Sequence, residues 1–284
     1  MIGVFDSGYG GLTVVRELVR SLPEYSYLYL GDNAREPYGG RDQEEIYRFT
    51  LECVEFLFAQ GCPLVIVACN TSSANALRRI QKEVLPEKYP DRRVLGVLAP
   101  AVEEITGVAW AGEQGSVKDS KIQNVGVLGT PATIASGAYT REIKKRNPAI
   151  QVFEQACPDL ADLIVNDAGE DKIRTDVRSC LDQLADQMRA TGTEPPPDAI
   201  LIGCTHYALI KDILAEEAKV PLIDQGPVTA DRLRTYLQQH PEIESKIDKI
   251  QTRRFLTTDD PAKVSPLASR FYGQKIEFEK IQLP

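Results

Sequence analysis

Two cysteines stand where thiol chemistry is possible. Cys69 follows the aliphatic run Leu64–Ala68 and precedes Asn70, Thr71 and Ser72. Cys204 follows Ala199–Gly203 and precedes Thr205 and His206. In both places a short aliphatic strand carries a thiol into a polar turn, and a helix-like segment begins soon after. A core cysteine is a small hydrophobe and has no need of such company. A reactive thiol does, because its thiolate must be stabilised by a cation, hydrogen bonds or a helix N-terminus. The other cysteines read differently. Cys53 and Cys180 lie inside amphipathic helical stretches, Cys62 sits just ahead of a strand, and Cys157 ends a strand with its role left open.

Two thiols on opposite sides of a cleft suit one kind of reaction. Inverting a carbon that carries a hydrogen means removing a proton from one face and returning one to the other. A single base cannot reach both faces, whereas two opposed acid/base groups can, one starting as thiolate and the other as thiol. His206, one of two histidines, lies two residues past Cys204 and can orient it, shuttle its proton or simply close a turn. Asp6, at the end of the strand-like run Ile2–Phe5, suits a ligand with an ammonium group. A Cys–His hydrolase built on Cys204 and His206 would need only one thiol, and a non-catalytic amino-acid-binding protein would need neither. The Gly8-Tyr9-Gly10-Gly11 turn lacks the Gly-Lys-Ser/Thr of a phosphate loop, and Thr13 stands where a dinucleotide fingerprint wants glycine. Asp6 and Asp32 put negative charge where phosphate would sit, so the turn reads as a close backbone approach to a ligand.

The elements that must position these residues alternate between strand and helix. Strands are expected over Ile2–Phe5, Tyr25–Leu30, Leu64–Ala68, Arg93–Val97, Asn124–Leu128, Ile150–Gln155, Ala199–Gly203 and Pro221–Asp224. Helices are expected over Leu12–Leu22, Gln43–Gln60, Ser72–Glu83, the stretch after Thr133 to Arg146, Asp171–Thr191, Tyr207–Lys219 and Val228–Gln239, on apolar spacing and on Gly and Pro at their ends. Residues 107–121 read as an irregular connection. The pattern repeats loosely: each half opens with a Gly-Val strand into a Gly/Thr/Ser turn and later brings an aliphatic strand to a Cys turn. The expected fold is α/β, with two pseudo-symmetric parallel-sheet lobes, helices on both faces and the active site in the interlobe cleft. Sites in such folds lie beyond the carboxyl ends of strands. Asp6, Cys69, Thr130 and Cys204 all fall there.

Composition narrows the class. The chain has 284 residues, 43% hydrophobic and 26% charged, enough for one large domain or two ordinary ones. With a net charge of −8 and no local cluster of basic residues, a nucleic-acid partner is not expected. No apolar run approaches the length of a membrane span, and Met-Ile-Gly-Val-Phe-Asp does not look like an export signal. The six cysteines make no CxxC and no zinc-type array with histidine, so free thiols in a reducing cytoplasm are expected, with no metal.

Five ordered motifs then resemble one family. They are Asp6-Ser7-Gly8-x-Gly-Gly, Gly31-Asp32 with Pro37-Tyr38-Gly39, Ala68-Cys69-Asn70-Thr71, Gly203-Cys204-Thr205-His206-Tyr207, and the stretch from Phe255-Leu256-Thr257-Thr258-Asp259-Asp260-Pro261 to Gly273. Together they span nearly the whole chain. They resemble the glutamate racemases of the cofactor-independent aspartate/glutamate racemase superfamily. The resemblance implies a first lobe of residues 1–97 plus 208–284 and a second of residues 98–207. It implies Cys69 and Cys204 as acid/base thiols, with Asp6 assisting Cys69 and His206 assisting Cys204. Ser7, Tyr38, Gly39, Asn70, Thr71 and Thr205 would hold the substrate, with a hydroxyl from Thr130 or Thr133. It further implies glutamate as substrate, no cofactor, a role in supplying D-glutamate for peptidoglycan, and a homodimer. The within-superfamily alternatives are aspartate and hydantoins. The chain departs from the pattern after Ala156-Cys157-Pro158, where the family usually runs through apolar residues to a Glu and this sequence reaches Val165. It departs also at Val97–Ala101, which is Gly-rich in the family.

Overall fold

Ten strands follow one another along the described chain: β1 (Ile2–Asp6), β2 (Tyr27–Gly31), β3 (Leu64–Val67), β4 (Arg93–Gly96), β5 (Asn124–Gly129), β6 (Gln151–Ala156), β7 (Ala199–Gly203), β8 (Leu222–Ile223), β9 (Arg253–Thr257) and β10 (Glu279–Lys280). The computed structural model describes residues 1–108 and 120–283. Most of the irregular connection expected at 107–121 therefore lies outside the described residues. Strand pairing is parallel throughout the described chain.

The strands form two sheets, in the orders β10-β9-β2-β1-β3-β4 and β6-β5-β7-β8. The order β2-β1-β3-β4 in the first recurs as β6-β5-β7-β8 in the second, so the internal repeat is a repeat of topology. In each lobe the first strand has its successor on one side and the third strand on the other. The crevice where strand order reverses opens at the carboxyl ends of β1 and β3, and of β5 and β7, the place where open parallel sheets bind ligands. Asp6 ends β1 and Cys69 follows β3; Thr130 follows β5 and Cys204 follows β7.

The local reasons are plain. β1, β2, β3 and β7 are buried along their whole length, as strands covered by helices on both faces must be, and so read as unbroken apolar runs. Asp42 caps the helix Gln43–Ala59 by accepting the Glu45 backbone N–H at 2.9 Å. Gly107, at φ 68°, ends the helix Leu98–Thr106 in a left-handed cap.

Three expectations are corrected. The second lobe does not stop at residue 207. β8 pairs with β7 in the second sheet, with Ile200 opposite Leu222, and the helix Gln225–Gln239 that follows packs against the first-lobe helix Gly11–Ser21. The helix expected over Ser72–Glu83 is broken into Asn70–Asn75, Leu77–Arg79 and a wider turn at Ile80–Val84. The helix expected to run unbroken to Arg146 divides at Gly137, whose φ of 58° no right-handed helix accepts.

Candidate active site

Cys69 and Cys204 both emerge as the residue between a strand and a helical turn, each 5% exposed. Their surroundings differ. The Cys69 sulfur accepts the Ser72 backbone N–H at 3.4 Å and lies 3.3 Å from Ser7 Oγ. Burial pushes the Cys69 thiol up and neighbouring Asp6 adds to this, against the opposing hydrogen bonds from Ser7 and Ser72. A thiolate formed there is a strong base, as abstraction of a weakly acidic proton requires. The Cys204 sulfur has a different partner, His206 Nδ1 at 3.8 Å.

Asp6 joins the two centres. It is fully buried and its Oδ2 accepts the Gly8 N–H at 3.0 Å, whereas Oδ1 makes no hydrogen bond. Burial holds its carboxyl above the usual carboxylate range in spite of His206, the Gly11 and Gly8 amides and the Thr205 hydroxyl, all of which favour the charge. Asp6 thus acts electrostatically on Cys69 and on His206. Tyr139, fully buried, feels both thiols. At His206 burial disfavours the charged ring, but Cys204 and Glu36 outweigh it and the imidazole is raised well above its ordinary value.

Hydroxyls gather across the lobes. Thr71 Oγ1 lies 3.0 Å from Thr130 Oγ1 and 3.3 Å from Thr133 Oγ1, and the latter two are 3.0 Å apart. Gly39 meets this group: its carbonyl accepts the Ala132 N–H at 2.9 Å, and a Cβ on it would fall 2.9 Å from Thr130 Cβ. On the other side Gly10 brings the two lobes together, since a Cβ there would lie 2.3 Å from Thr205 Oγ1. Such hydroxyls and amide groups can hold an α-carboxylate and stabilise negative charge developing on it.

Two expected substrate contacts are occupied otherwise. The Tyr38 hydroxyl donates to Asp32 Oδ2, which also takes Arg35 Nε at 2.6 Å, while Asp32 Oδ1 takes Thr258 Oγ1 at 2.9 Å. Tyr38 therefore anchors its loop, and Asp32 with Thr258 explains two of the sequence motifs as a structural brace. Asn70 closes a ring. Tyr139 Oη donates to Asn70 Oδ1 at 2.5 Å, Asn70 Nδ2 to Gln225 Oε1 at 2.6 Å, and Gln225 Nε2 to Tyr139 Oη at 2.6 Å.

Tyr139, Gln225 and Glu36 had not been singled out from sequence. Glu36 stands directly before Pro37-Tyr38-Gly39, where an acidic residue inside a motif was the available signal; Tyr139 gave none. Cys53, Cys62, Cys157 and Cys180 are buried, and all six cysteines are free. A separate cavity of about 480 Å³ opens behind the helix Asn70–Asn75, lined by Ser73, Leu77, Leu98, Pro100, Ala138 and Thr229, away from both thiols. Among the described residues no helix is long and apolar enough to cross a membrane.

Known proteins carry the same plan. The model of the Asp/Glu/Hydantoin racemase family matches residues 2–233. A glutamate racemase of Caulobacter sp. (strain K31) is 42% identical over 98% of this chain and 99% of its own length. One from Dinoroseobacter shibae is 40% identical over 99% and 98%. Among solved structures, a glutamate racemase isoform from Bacillus anthracis superposes with a TM-score of 0.84 at 32% identity, covering 100% of this chain and 98% of that one. The Francisella tularensis glutamate racemase, solved in complex with D-glutamate, gives 0.83 at 31% identity, covering 99% and 97%.

Proposed function

We infer the reaction from one premise: the chain belongs to the Asp/Glu/Hydantoin racemase family. It is an amino-acid racemase, and its substrate is glutamate, as the names of its full-length relatives support. We propose that Cys69 and Cys204 are the two acid/base groups. One thiolate takes the α-proton from one face; the other thiol gives a proton to the opposite face, and the roles exchange in the reverse direction. Asp6 serves the Cys69 side and His206 the Cys204 side. Ser7, Thr71, Thr130, Thr133 and Thr205, with the Gly39 backbone, hold the carboxylates and share the charge that develops as the α-carbon loses its proton.

The observation that carries this reading is the repeated β2-β1-β3-β4 order. It sets Cys69 and Cys204 at corresponding strand ends, with Asp6 acting on both Cys69 and His206. The proposal places the enzyme in the cytoplasm, where a reducing pool keeps thiols free, making D-glutamate for peptidoglycan as a homodimer; sedimentation checks the last point.

The test is incubation of each glutamate enantiomer in heavy water. Racemisation with solvent deuterium at the α-carbon is expected. Cys69→Ser and Cys204→Ser should each lose racemisation at least about 100-fold. Absence of α-deuteration would sink glutamate as the substrate, with aspartate next to be tried. A serine variant that racemises at the parent rate would sink the two-base mechanism.

A further inference from the structure

The second ring nitrogen of His206 meets a carboxylate from the opposite lobe. His206 Nε2 lies 3.2 Å from Glu36 Oε1, at ion-pair range though off the line of a good hydrogen bond. Glu36 belongs to the loop between β2 and the helix Gln43–Ala59, and its side chain is 16% exposed against 9% for His206. The contact is built. Gly8 leaves room for it, since a Cβ at Gly8 would come within 2.0 Å of Glu36 Oε1. Phe271 packs edge-on to the imidazole, with ring centres 5.3 Å apart.

A carboxylate held away from water is costly without a positive partner. Around Glu36 stand two further carboxyl groups, Asp6 from β1 and Asp162 from the helix Leu160–Val165; Tyr9 and Tyr29 also feel its charge. Burial raises Glu36, His206 lowers it, and Asp6 and Asp162 raise it further. The imidazole is the group that makes a charged Glu36 tolerable here.

We propose that Glu36 is a positioning residue for the Cys204 half of the reaction, holding an N–H on His206 Nε2 so that the lone pair of Nδ1 faces the Cys204 sulfur. This rests on the two-thiol reading above. The proton balance is simple. The S–H bond of Cys204 breaks and an N–H bond forms at Nδ1, leaving a thiolate and an imidazolium that Glu36 faces. Glu36 itself neither gains nor loses a proton. Its role is that of the orienting carboxylate behind a histidine base.

Glu36→Gln keeps the size and an acceptor oxygen and removes the charge. The chain has two histidines, so proton NMR resolves both imidazoles, and a His240→Gln variant assigns them. In Glu36→Gln the His206 midpoint should fall by about one pH unit. The limb of the kcat/KM profile that follows loss of the imidazolium proton should move to lower pH with it. kcat should drop roughly tenfold in both directions, with KM within about threefold. Gly8→Ala, whose methyl displaces the carboxylate, should give the same pattern. An unchanged His206 midpoint in both variants overturns the proposal, even if kcat or stability falls. The titration needs no substrate. If the parent enzyme fails to racemise glutamate while the midpoint still falls, the pairing stands and the assignment to Cys204 chemistry goes with the two-thiol reading.

Discussion

Burying the carboxyl of Asp6 costs stability once it ionises. Burial holds its carboxyl above the ordinary 3.8, against the pull of His206 and the amide and hydroxyl donors. A carboxyl raised on folding binds its proton more tightly in the native state. Its contribution to stability is full below the unfolded value and is lost as pH rises through the folded one. Above the unfolded value the buried Asp6 is therefore a net penalty. Asp6→Asn removes the charge and keeps an oxygen for the Gly8 N–H. The variant should melt about 2 °C higher than the parent at pH 7. That advantage should shrink as pH falls through the folded value and be gone by about pH 3, below the unfolded value of 3.8. Racemisation should fall at least about 100-fold over the same comparison. Calorimetry at the two pH values together with a rate assay checks all three; a lower melting point at pH 7 would show that the carboxylate is a net support of the fold.

At the level of the element, the loop Asp32–Gly40 is held from beneath. Asp32, fully buried, collects Arg35, Tyr38 and Thr258, and Thr257 Oγ1 donates to Asn33 Oδ1 at 2.8 Å. The tail strand β9 ends on Thr257 and the chain runs straight on into Thr258, which is why a C-terminal motif and an early loop meet in space. Tyr38→Phe should then cost about 1–3 kcal/mol in denaturant unfolding, the range for a buried hydrogen bond to a charged group. KM for glutamate should stay within about twofold; a larger rise would return Tyr38 to the substrate. The same scale shows what was legible in the sequence. The strands delivering Asp6, Cys69 and Cys204 could be read because a parallel strand buried on both faces is an unbroken apolar run. The break at Gly137 was readable too, from the glycine itself. The breaks at Ala76 and Ile80–Val84 were not, because good helix formers fill that stretch. β8 went to the wrong lobe because two residues, Leu222 and Ile223, carry no sign of which sheet they join. Tyr139 and Gln225 escaped for a related reason: their partner Asn70 is remote in sequence, and spacing gives no hint of it, whereas Glu36 had only its place before Pro37-Tyr38-Gly39 to mark it.

The molecule as a whole is two lobes whose opposed strand ends must keep close register. Three contacts set it: the ring of Asn70, Tyr139 and Gln225, the threonine cluster of Thr71, Thr130 and Thr133, and the approach of Gly10 to Thr205 and His206. The third can be perturbed cleanly. Gly10 has φ −59° and ψ −35°, a helical conformation that alanine adopts without strain. An added methyl group therefore costs nothing locally, but would meet Thr205 Oγ1 at 2.3 Å, the His206 amide nitrogen at 2.8 Å and His206 Nδ1 at 2.9 Å. Two of these are rigid or already engaged, so relief must come from parting the lobes by a fraction of an ångström to an ångström. Misplacing reacting groups by about 1 Å costs on the order of 100-fold in rate. Gly10→Ala should accordingly lose roughly 10- to 100-fold in kcat/KM for both enantiomers. The melting point should move by less than about 3 °C, since each lobe keeps its own sheet. Parent kinetics in this variant would mean that the lobes slide freely at this edge, and that the distance between Cys69 and Cys204 is set by the other two contacts alone.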